Sequence, residues 1–86
     1  MTWYRRAAEQ GDARAQKNLG SMYGNGFGVV QDHSTAHMWF NIAAANGSSG
    51  AANRRDEIES RMNADVILEA QRRARVCMVS GYQDCD

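Results

Sequence analysis

The chain has 86 residues, of which 43% are hydrophobic and 23% charged, and its ten basic and ten acidic residues leave no formal net charge at pH 7. This length allows a single small domain, residues 1–86. Because the charges balance and no basic stripe is present, nucleic acid is not an expected partner. No apolar run approaches the roughly 20 residues that span a bilayer, so a membrane is not an expected partner either. The first ten residues, MTWYRRAAEQ, lack the apolar segment of a secretory signal. Because alanine is abundant and proline absent, we expect an all-α domain.

Five helices are predicted in chain order from hydrophobic periodicity and from start and stop residues. Gly11 and Gly47 stand where a left-handed residue ends a helix. Asp12 and Ser34 are suited to be the N-caps of the second and third helices. The predicted helices cover residues 2–10, 13–23, 34–45, 50–61 and 64–79.

The apolar stripes of these helices predict the core. On the second helix the stripe is Ala15, Leu19, Met22 and Tyr23. On the third it is Ala36, Trp39, Phe40 and Ala43. On the fifth it is Val66, Ile67, Ala70, Ala74 and Cys77, with Arg72, Arg73 and Arg75 directed toward solvent.

Two stretches of the chain match each other at a fixed offset of 36 residues. WYRRAAEQGDARAQ begins at Trp3, and WFNIAAANGSSGAA begins at Trp39. Their aromatic, Ala-Ala and glycine positions coincide. A period of this length is typical of a stacked helical array, in which each unit contacts only its neighbours.

The glycine-rich stretch MYGNGFGVVQD follows a predicted helix. A phosphate-binding loop instead follows a strand and opens a helix, and a P-loop carries a lysine after its glycines. Lys17 is the only lysine and precedes the stretch. We therefore expect a structural turn in which Gly26 or Gly28 has a positive φ. Gly20 and Gly24, four residues apart, are expected to let the third helix approach the second closely.

Residues 13–52 resemble a Sel-one-like (Sel1-like) repeat, a relative of the tetratricopeptide repeat. They carry the family pattern of Ala, Leu-Gly, Tyr, Gly-x-Gly-Val, Asp, Ala, Trp-aromatic, Ala-Ala and Gly. The resemblance implies a short right-handed alpha-alpha superhelix of antiparallel helix pairs. On this interpretation residues 2–11 are the second half of a repeat, residues 13–47 are a full repeat, and residues 48–86 are a degenerate C-terminal helix pair.

The same resemblance implies a protein–protein interaction module, an adaptor of bacterial type, whose partner is another protein or peptide. Arrays of this kind present the first helix of each pair on a concave surface. Polar residues beside the apolar stripe of that helix are the candidate partner-binding residues: Arg14, Asn18, Ser21 and Asn25. Two alternatives remain open. One is a β-lactam-binding or hydrolase role, as linked to cysteine-rich relatives, and the other is a structural C-terminal cap of a longer array.

No catalytic set is found in the sequence. It has no Ser-x-x-Lys motif and no Gly-x-Ser-x-Gly motif, so we expect no enzyme activity, no catalytic residue and no cofactor. His33 and His37 lie four residues apart, but we expect two exposed histidines on the first turn of a helix and no metal site. Two arginine pairs are expected on solvated, ion-paired surfaces: Arg5, Arg6, Arg54 and Arg55.

Cys77 and Cys85 are either two free thiols or a disulfide. In a cysteine-rich, secreted branch of the same family, a disulfide of this spacing joins the end of one helix to the start of the next. The cysteines of that branch occupy positions equivalent to 8 and 16, and a period of 36 leads to position 80 rather than 77. The resemblance favours a disulfide here, and with it a periplasmic or secreted location, whereas free thiols would indicate the cytoplasm.

Trp3 and Tyr4 lie on the predicted half repeat. One flank of that helix has no predicted partner, which leaves aromatic side chains uncovered. We therefore predict self-association through this face, with a two-fold dimer as the simplest closed form.

Overall fold

The computed structural model describes residues 2–85, with side chains from residue 3 onward. Within this range the chain forms five helices and no strand. The helices are α1 (Thr2–Glu9), α2 (Ala13–Asn25), α3 (His33–Ala45), α4 (Ser49–Glu59) and α5 (Ala64–Val79). The all-α prediction is confirmed, and the bounds of α5 are those that the sequence predicts. None of the described helices is both long enough and apolar enough to cross a bilayer.

Side-chain caps determine where the helices begin. The carboxylate of Asp12 accepts hydrogen bonds from the backbone N–H groups of the second and third residues after it and so starts α2. Asp32 does the same for α3, accepting from the N–H groups of Ser34 and Thr35. The prediction of Ser34 as this cap is wrong, because the Asp32 carboxylate reaches the same free N–H groups and starts the helix one residue earlier, at His33.

α2 and α3 pack as an antiparallel pair, and α3 is the central helix of the fold. Gly20 lies against Phe40 and Gly24 against Ala36, so α2 and α3 run in opposite directions. α3 also contacts α4 and α5, so its residues are buried on nearly all sides. Its buried residues are Thr35, Ala36, His37, Met38, Trp39, Phe40, Ile42 and Ala43. The fully buried Trp39 confirms its predicted place in the core.

Glycine makes the close crossing of α2 and α3 possible. A Cβ atom added to Gly20 would lie 2.6 Å from Cδ1 of Phe40, closer than carbon atoms approach. The aromatic ring therefore packs directly on the backbone of α2. The loop after α2 also depends on glycine, since Gly26 and Gly28 both have φ of 74°. The predicted positive φ is thus found at both positions.

The ends of α1, α3 and α5 share one type of turn. Gly11, Gly47 and Gly81 have φ values of 90°, 104° and 68°. The residue after each glycine donates its backbone N–H to the carbonyl oxygen five residues earlier, as in a Schellman motif. These donor and acceptor pairs are Asp12 to Ala7, Ser48 to Ala43, and Tyr82 to Cys77.

A chain of side-chain hydrogen bonds connects the three turns. Gln16, fully buried, donates from Nε2 to the carbonyl oxygen of Ala8 at 2.9 Å. Its Oε1 accepts from Nδ2 of Asn46 at 2.9 Å, and the same Asn46 nitrogen donates to the hydroxyl of Tyr82 at 3.0 Å. These bonds hold the segment after α5 against the ends of α1 and α3.

Candidate functional site

A groove of about 420 Å³ lies between α2 and α4. α2 contributes Ser21 and Asn25 to its lining, and α4 contributes Arg54 and Glu57. The ring of Phe40, from the helix beneath, borders the groove. We call this space the α2–α4 groove.

The groove exists because α2 and α4 pack on the same helix while making few contacts with each other. Gly24 lies on the side of α2 that faces α4. An added Cβ there would come within 3.6 Å of both the Ala36 Cβ and the Ile58 Cδ1. A larger residue at this position would therefore extend into the groove.

Positive charge predominates along the α2–α4 groove. Two arginines, Arg54 and Arg61, line it, against one acidic residue, Glu57. Among residues 2–85 neither arginine takes part in an ion pair within 4 Å. Their guanidinium groups are therefore available to an anionic group of a ligand.

The two arginines predicted to share one solvated surface differ in the structure. Arg54 is exposed and lines the α2–α4 groove. Arg55 is partly buried, and its Nη1 donates to Oδ1 of Asn41 on α3 at 3.0 Å. Arg55 thus attaches α4 to α3, whereas Arg54 faces the groove.

The four candidate partner-binding residues do not form one site. Ser21 and Asn25 line the α2–α4 groove. Arg14 and Asn18 line a second groove, of about 670 Å³, between α1 and α2. The row therefore divides between two surfaces on either side of α2.

Trp3 and Tyr4 lie in that second space, which we call the α1–α2 groove. The side chain of Trp3 is 83% exposed and that of Tyr4 is 40% exposed. Ala7 and Ala15 complete its apolar lining. The aromatic surface that the sequence predicts on α1 is thus uncovered in the single chain.

The predicted exposure of both histidines is wrong for His37. Its side chain is fully buried, and its Nε2 lies 2.8 Å from Oε1 of Glu59 on α4. Its Nδ1 has no hydrogen-bond partner among the described atoms. His33 is half-buried and borders the α2–α4 groove. Within residues 2–85, no group of three or more His, Cys, Asp or Glu side chains is arranged to hold a metal ion.

The prediction that Arg73 faces solvent is also wrong, because its guanidinium lies at the start of α3. It is half-buried and donates to the hydroxyls of Ser34 and Thr35 at 3.3–3.4 Å. Burial raises the pKa of the neighbouring Asp32 carboxyl. Hydrogen bonds from Thr35 and Ser34 and the charge of Arg73 outweigh that effect, so the pKa of Asp32 lies below its ordinary value.

Cys77 and Cys85 are joined by a disulfide in the structure, and both are buried. The bond closes over the turn that contains Gly81 and Tyr82. It ties the segment after the turn to the last turn of α5.

Sequence reasoning missed the α4 side of the α2–α4 groove. The 36-residue offset is a signal that could have located these residues. Adding 36 to the numbers of three candidate residues on α2 gives three residues that line the groove, on α4 or just after it. These pairs are Asn18 with Arg54, Ser21 with Glu57, and Asn25 with Arg61.

The Sel1 repeat family model matches residues 1–12 and 13–48, which together are more than half of the chain. These ranges coincide with α1 and its turn, and with α2, α3 and the turn after them. The chain belongs to the Sel1 repeat family. Sel1 repeats generally mediate protein–protein interactions.

Chitin synthase regulatory factor 3 of Schizosaccharomyces pombe is similar to this Sel1 repeat chain. The two are 40% identical over 57 residues, which are 66% of this chain and 6% of that protein. The chain therefore corresponds to a small part of that much longer relative.

Proposed function

We propose that this Sel1 repeat chain is an adaptor module that holds a peptide segment of another protein in the α2–α4 groove. One observation carries the proposal. Arg54, Glu57 and Arg61 lie 36 residues after Asn18, Ser21 and Asn25, which belong to the polar row of α2. Ser21 and Asn25 line the same groove as these three later residues. The volume of about 420 Å³ falls within the range of sites that enclose small ligands or a few side chains.

The charge of the groove favours a partner segment with a carboxylate. Arg54 and Arg61 have no ion-pair partner within the described residues, and a carboxylate can accept two hydrogen bonds from a guanidinium. Phe40 and Ile58 supply apolar contact beside this charge. A short segment that combines an acidic and an apolar side chain would satisfy both parts of the groove.

We propose that this role is non-enzymatic. Ser21 and His33 both border the α2–α4 groove, but no hydrogen bond joins them among the described residues. A serine nucleophile needs an adjacent base that accepts its proton, and this arrangement does not supply one. Hydrolysis of nitrocefin, measured against boiled protein, tests the β-lactam alternative. Turnover that depends on Ser21 would contradict the non-enzymatic role.

The name of the fungal relative describes a regulatory factor. Sel1 repeats generally mediate protein–protein interactions, and a related repeat in a regulatory factor supports an adaptor role for this chain. Because the chain spans 6% of that relative, the comparison supports the module's role and names no partner for it.

Site-specific photo-crosslinking in cells tests the proposed groove. A photoreactive amino acid replaces Asn25, which lines the groove, or Arg75, which is exposed on α5 and lies outside it. We expect a discrete crosslinked partner from position 25 and none from position 75. Arg54→Glu should abolish that crosslink, whereas Arg75→Glu should leave it unchanged. Equal crosslinking from both positions would contradict the proposal.

A further inference from the structure

Two asparagines of the chain, Asn25 and Asn46, are each followed by a glycine. In an Asn-Gly sequence the backbone nitrogen of the glycine can attack Cγ of the asparagine, because no Cβ of the following residue hinders the approach. The new N–Cγ bond forms as the Cγ–Nδ2 bond breaks, and Nδ2 leaves as ammonia with the proton of the glycine N–H. Water then opens the cyclic imide to aspartate or isoaspartate. The reaction needs no enzyme and no reactant besides water.

The backbone holds the two glycines in similar ways. Gly26 donates its N–H to the carbonyl oxygen of Met22 at 2.7 Å, and Gly47 donates its N–H to the carbonyl oxygen of Ala44 at 3.1 Å. Both bonds belong to the last turn of a helix, so attack by either nitrogen requires that turn to open. Helix ends open more readily than helix interiors. The backbone therefore permits the reaction at both positions after a local opening.

The side chains of the two asparagines differ. Nδ2 of Asn46 donates to Oε1 of Gln16 at 2.9 Å and to the hydroxyl of Tyr82 at 3.0 Å. Asn46 must lose both bonds before its Cγ can react. Asn25 is exposed, and its side chain has no hydrogen bond among residues 2–85. The side chain of Asn25 is therefore free to react once the last turn of α2 opens.

The segments after the two asparagines also differ. Phe27 is 67% exposed and Val30 is 88% exposed, so the loop after Asn25 buries little apolar surface and opens at low cost. The turn after Asn46 is followed directly by Ser48, whose hydroxyl caps α4. Opening therefore costs less at Asn25 than at Asn46.

We propose that Asn25 is a site of spontaneous deamidation, which places the carboxylate of an aspartate or isoaspartate in the α2–α4 groove. Asn46, in the same dipeptide, is protected by its side-chain hydrogen bonds. Asn25 lines the groove with Arg54, Arg61 and Glu57. A carboxyl group at position 25 is ionised at neutral pH. The modified groove then has two carboxylates against two arginines, and its excess of positive charge is lost.

The modification has a consequence for ligands of the groove. If the groove binds an acidic segment, a carboxylate at position 25 repels that segment and weakens its binding. This consequence rests on the function proposed above, whereas the modification itself follows from the structure around Asn25 and does not depend on that function.

Mass spectrometry of the folded chain tests the modification. The chain is incubated at mildly alkaline pH, where the glycine nitrogen loses its proton more readily, and peptide fragmentation follows the replacement of amide by carboxylate at each asparagine. We expect position 25 to be modified at least about fivefold faster than position 46, the difference expected from two hydrogen bonds. Equal rates, or faster modification at position 46, would overturn the proposal.

Two controls test whether the fold causes the difference. In urea, where both dipeptides are unfolded, the two rates should converge. A difference that persists in urea would contradict protection by the fold. Tyr82→Phe removes the hydroxyl that accepts from Asn46 and keeps the ring beside Gly11. It should make modification at position 46 about two- to tenfold faster and leave position 25 unchanged. An unchanged rate at position 46, or equal acceleration at both positions, would contradict the protective role of these hydrogen bonds.

Peptide binding tests the consequence for the groove. Fluorescence polarisation measures a dye-labelled peptide of alternating aspartate and leucine on each protein. Asn25→Asp should bind it about two- to fivefold more weakly than Asn25→Gln, which keeps a neutral amide. Arg75→Glu, exposed on α5 outside the groove, is the charge control and should bind as the unaltered chain does. Equal binding by the two position-25 variants would overturn the consequence. Binding to none of the proteins would contradict the function proposed for the groove, while the mass spectra would still decide whether Asn25 is modified.

Discussion

Trp39 is the residue on which the core depends most. It is fully buried on the central helix and belongs to a cluster with residues of α1, α2 and α5, and the guanidinium of Arg5 lies 5.5 Å from the centroid of its ring. We expect Trp39→Ala to lower the free energy of unfolding by about 3–5 kcal/mol, a large part of a small domain's stability. Urea unfolding measures the loss.

Trp39→Phe is the matched control. It should lower the free energy of unfolding by less, because it keeps an aromatic ring and removes the indole N–H, which has no partner among the described atoms. Cooperative unfolding of Trp39→Ala near the parent midpoint would contradict this account.

The positive φ of Gly26 predicts how a substitution at this position changes stability. Gly26 has φ of 74°, and its N–H closes the last turn of α2 on the carbonyl oxygen of Met22 at 2.7 Å. A β-branched residue is strained at this φ, so Gly26→Val should destabilise the fold by more than about 1 kcal/mol. Gly50→Ala is the control. Gly50 is helical and an added methyl group meets only ordinary contacts there, so this change should stabilise by up to about 1 kcal/mol. Thermal melts that rank the two variants in the opposite order would refute the argument.

The lowered pKa of Asp32 predicts how stability depends on pH. A carboxyl whose folded-state pKa lies below its unfolded value stabilises the fold above the unfolded pKa, and this contribution is lost as the pH falls through the folded value. Wild-type stability should therefore decrease below about pH 4, where an unperturbed aspartate begins to bind protons. Asp32→Asn should be less stable at neutral pH and should lose less stability on acidification. Parallel stability curves for both proteins between about pH 2 and pH 7 would exclude this role.

At the scale of the elements, the last two helices differ in length from the helix pair before them. The turn glycines Gly11 and Gly47 are 36 residues apart, whereas Gly81 follows Gly47 by only 34. α4 is two residues shorter than α2 and the connection after it is also shorter, while α5 is three residues longer than α3. We propose on this basis that residues 48–86 form a shortened repeat unit. Cys77 then corresponds to Ala43, one position before the cysteines of the cysteine-rich branch.

The disulfide can be tested as a clamp on this unit. It closes over the turn in which Tyr82 adopts a φ of 66° and accepts, through its hydroxyl, the hydrogen bond from Asn46. Mass spectrometry of protein kept from reductant should find the Cys77 peptide linked to the Cys85 peptide. Replacing both cysteines by serine should then cost about 2 kcal/mol, as expected for a short loop. Free thiols in the unreduced protein would contradict the pairing.

The sequence predicts the helices well because local signals determine them. Gly11, Asp12 and Gly47 give the helix boundaries directly, and the stripe around Trp39 gives the core side of α3. The burial of His37 could not be predicted in this way, because it depends on Glu59, which lies 22 residues later on another helix. The residues around His37 in the sequence do not indicate that Glu59 is its partner.

The candidate site was only partly predictable for a related reason. Helical spacing groups Arg14, Asn18, Ser21 and Asn25 on one side of α2, and it cannot show that neighbouring helices divide this row between two grooves. The assignment depends on how far apart α1, α2 and α4 lie once they are packed. The sequence indicates the α4 side of the groove only through the repeat, because the groove residues on that side lie 36 positions after candidate residues on α2.

At the scale of the whole molecule, the other helices pack around the central helix α3, and a groove lies on either side of α2. The central claim is that the α2–α4 groove binds a peptide segment of another protein. Selection of a displayed random-peptide library on the folded chain tests it most directly. We expect enriched peptides that combine acidic and apolar residues, whose binding is lost in Arg54→Glu and kept in Arg75→Glu, with both variants folded by circular dichroism. Failure to enrich any peptide, or peptides that bind wild type and Arg54→Glu equally, would contradict the claim.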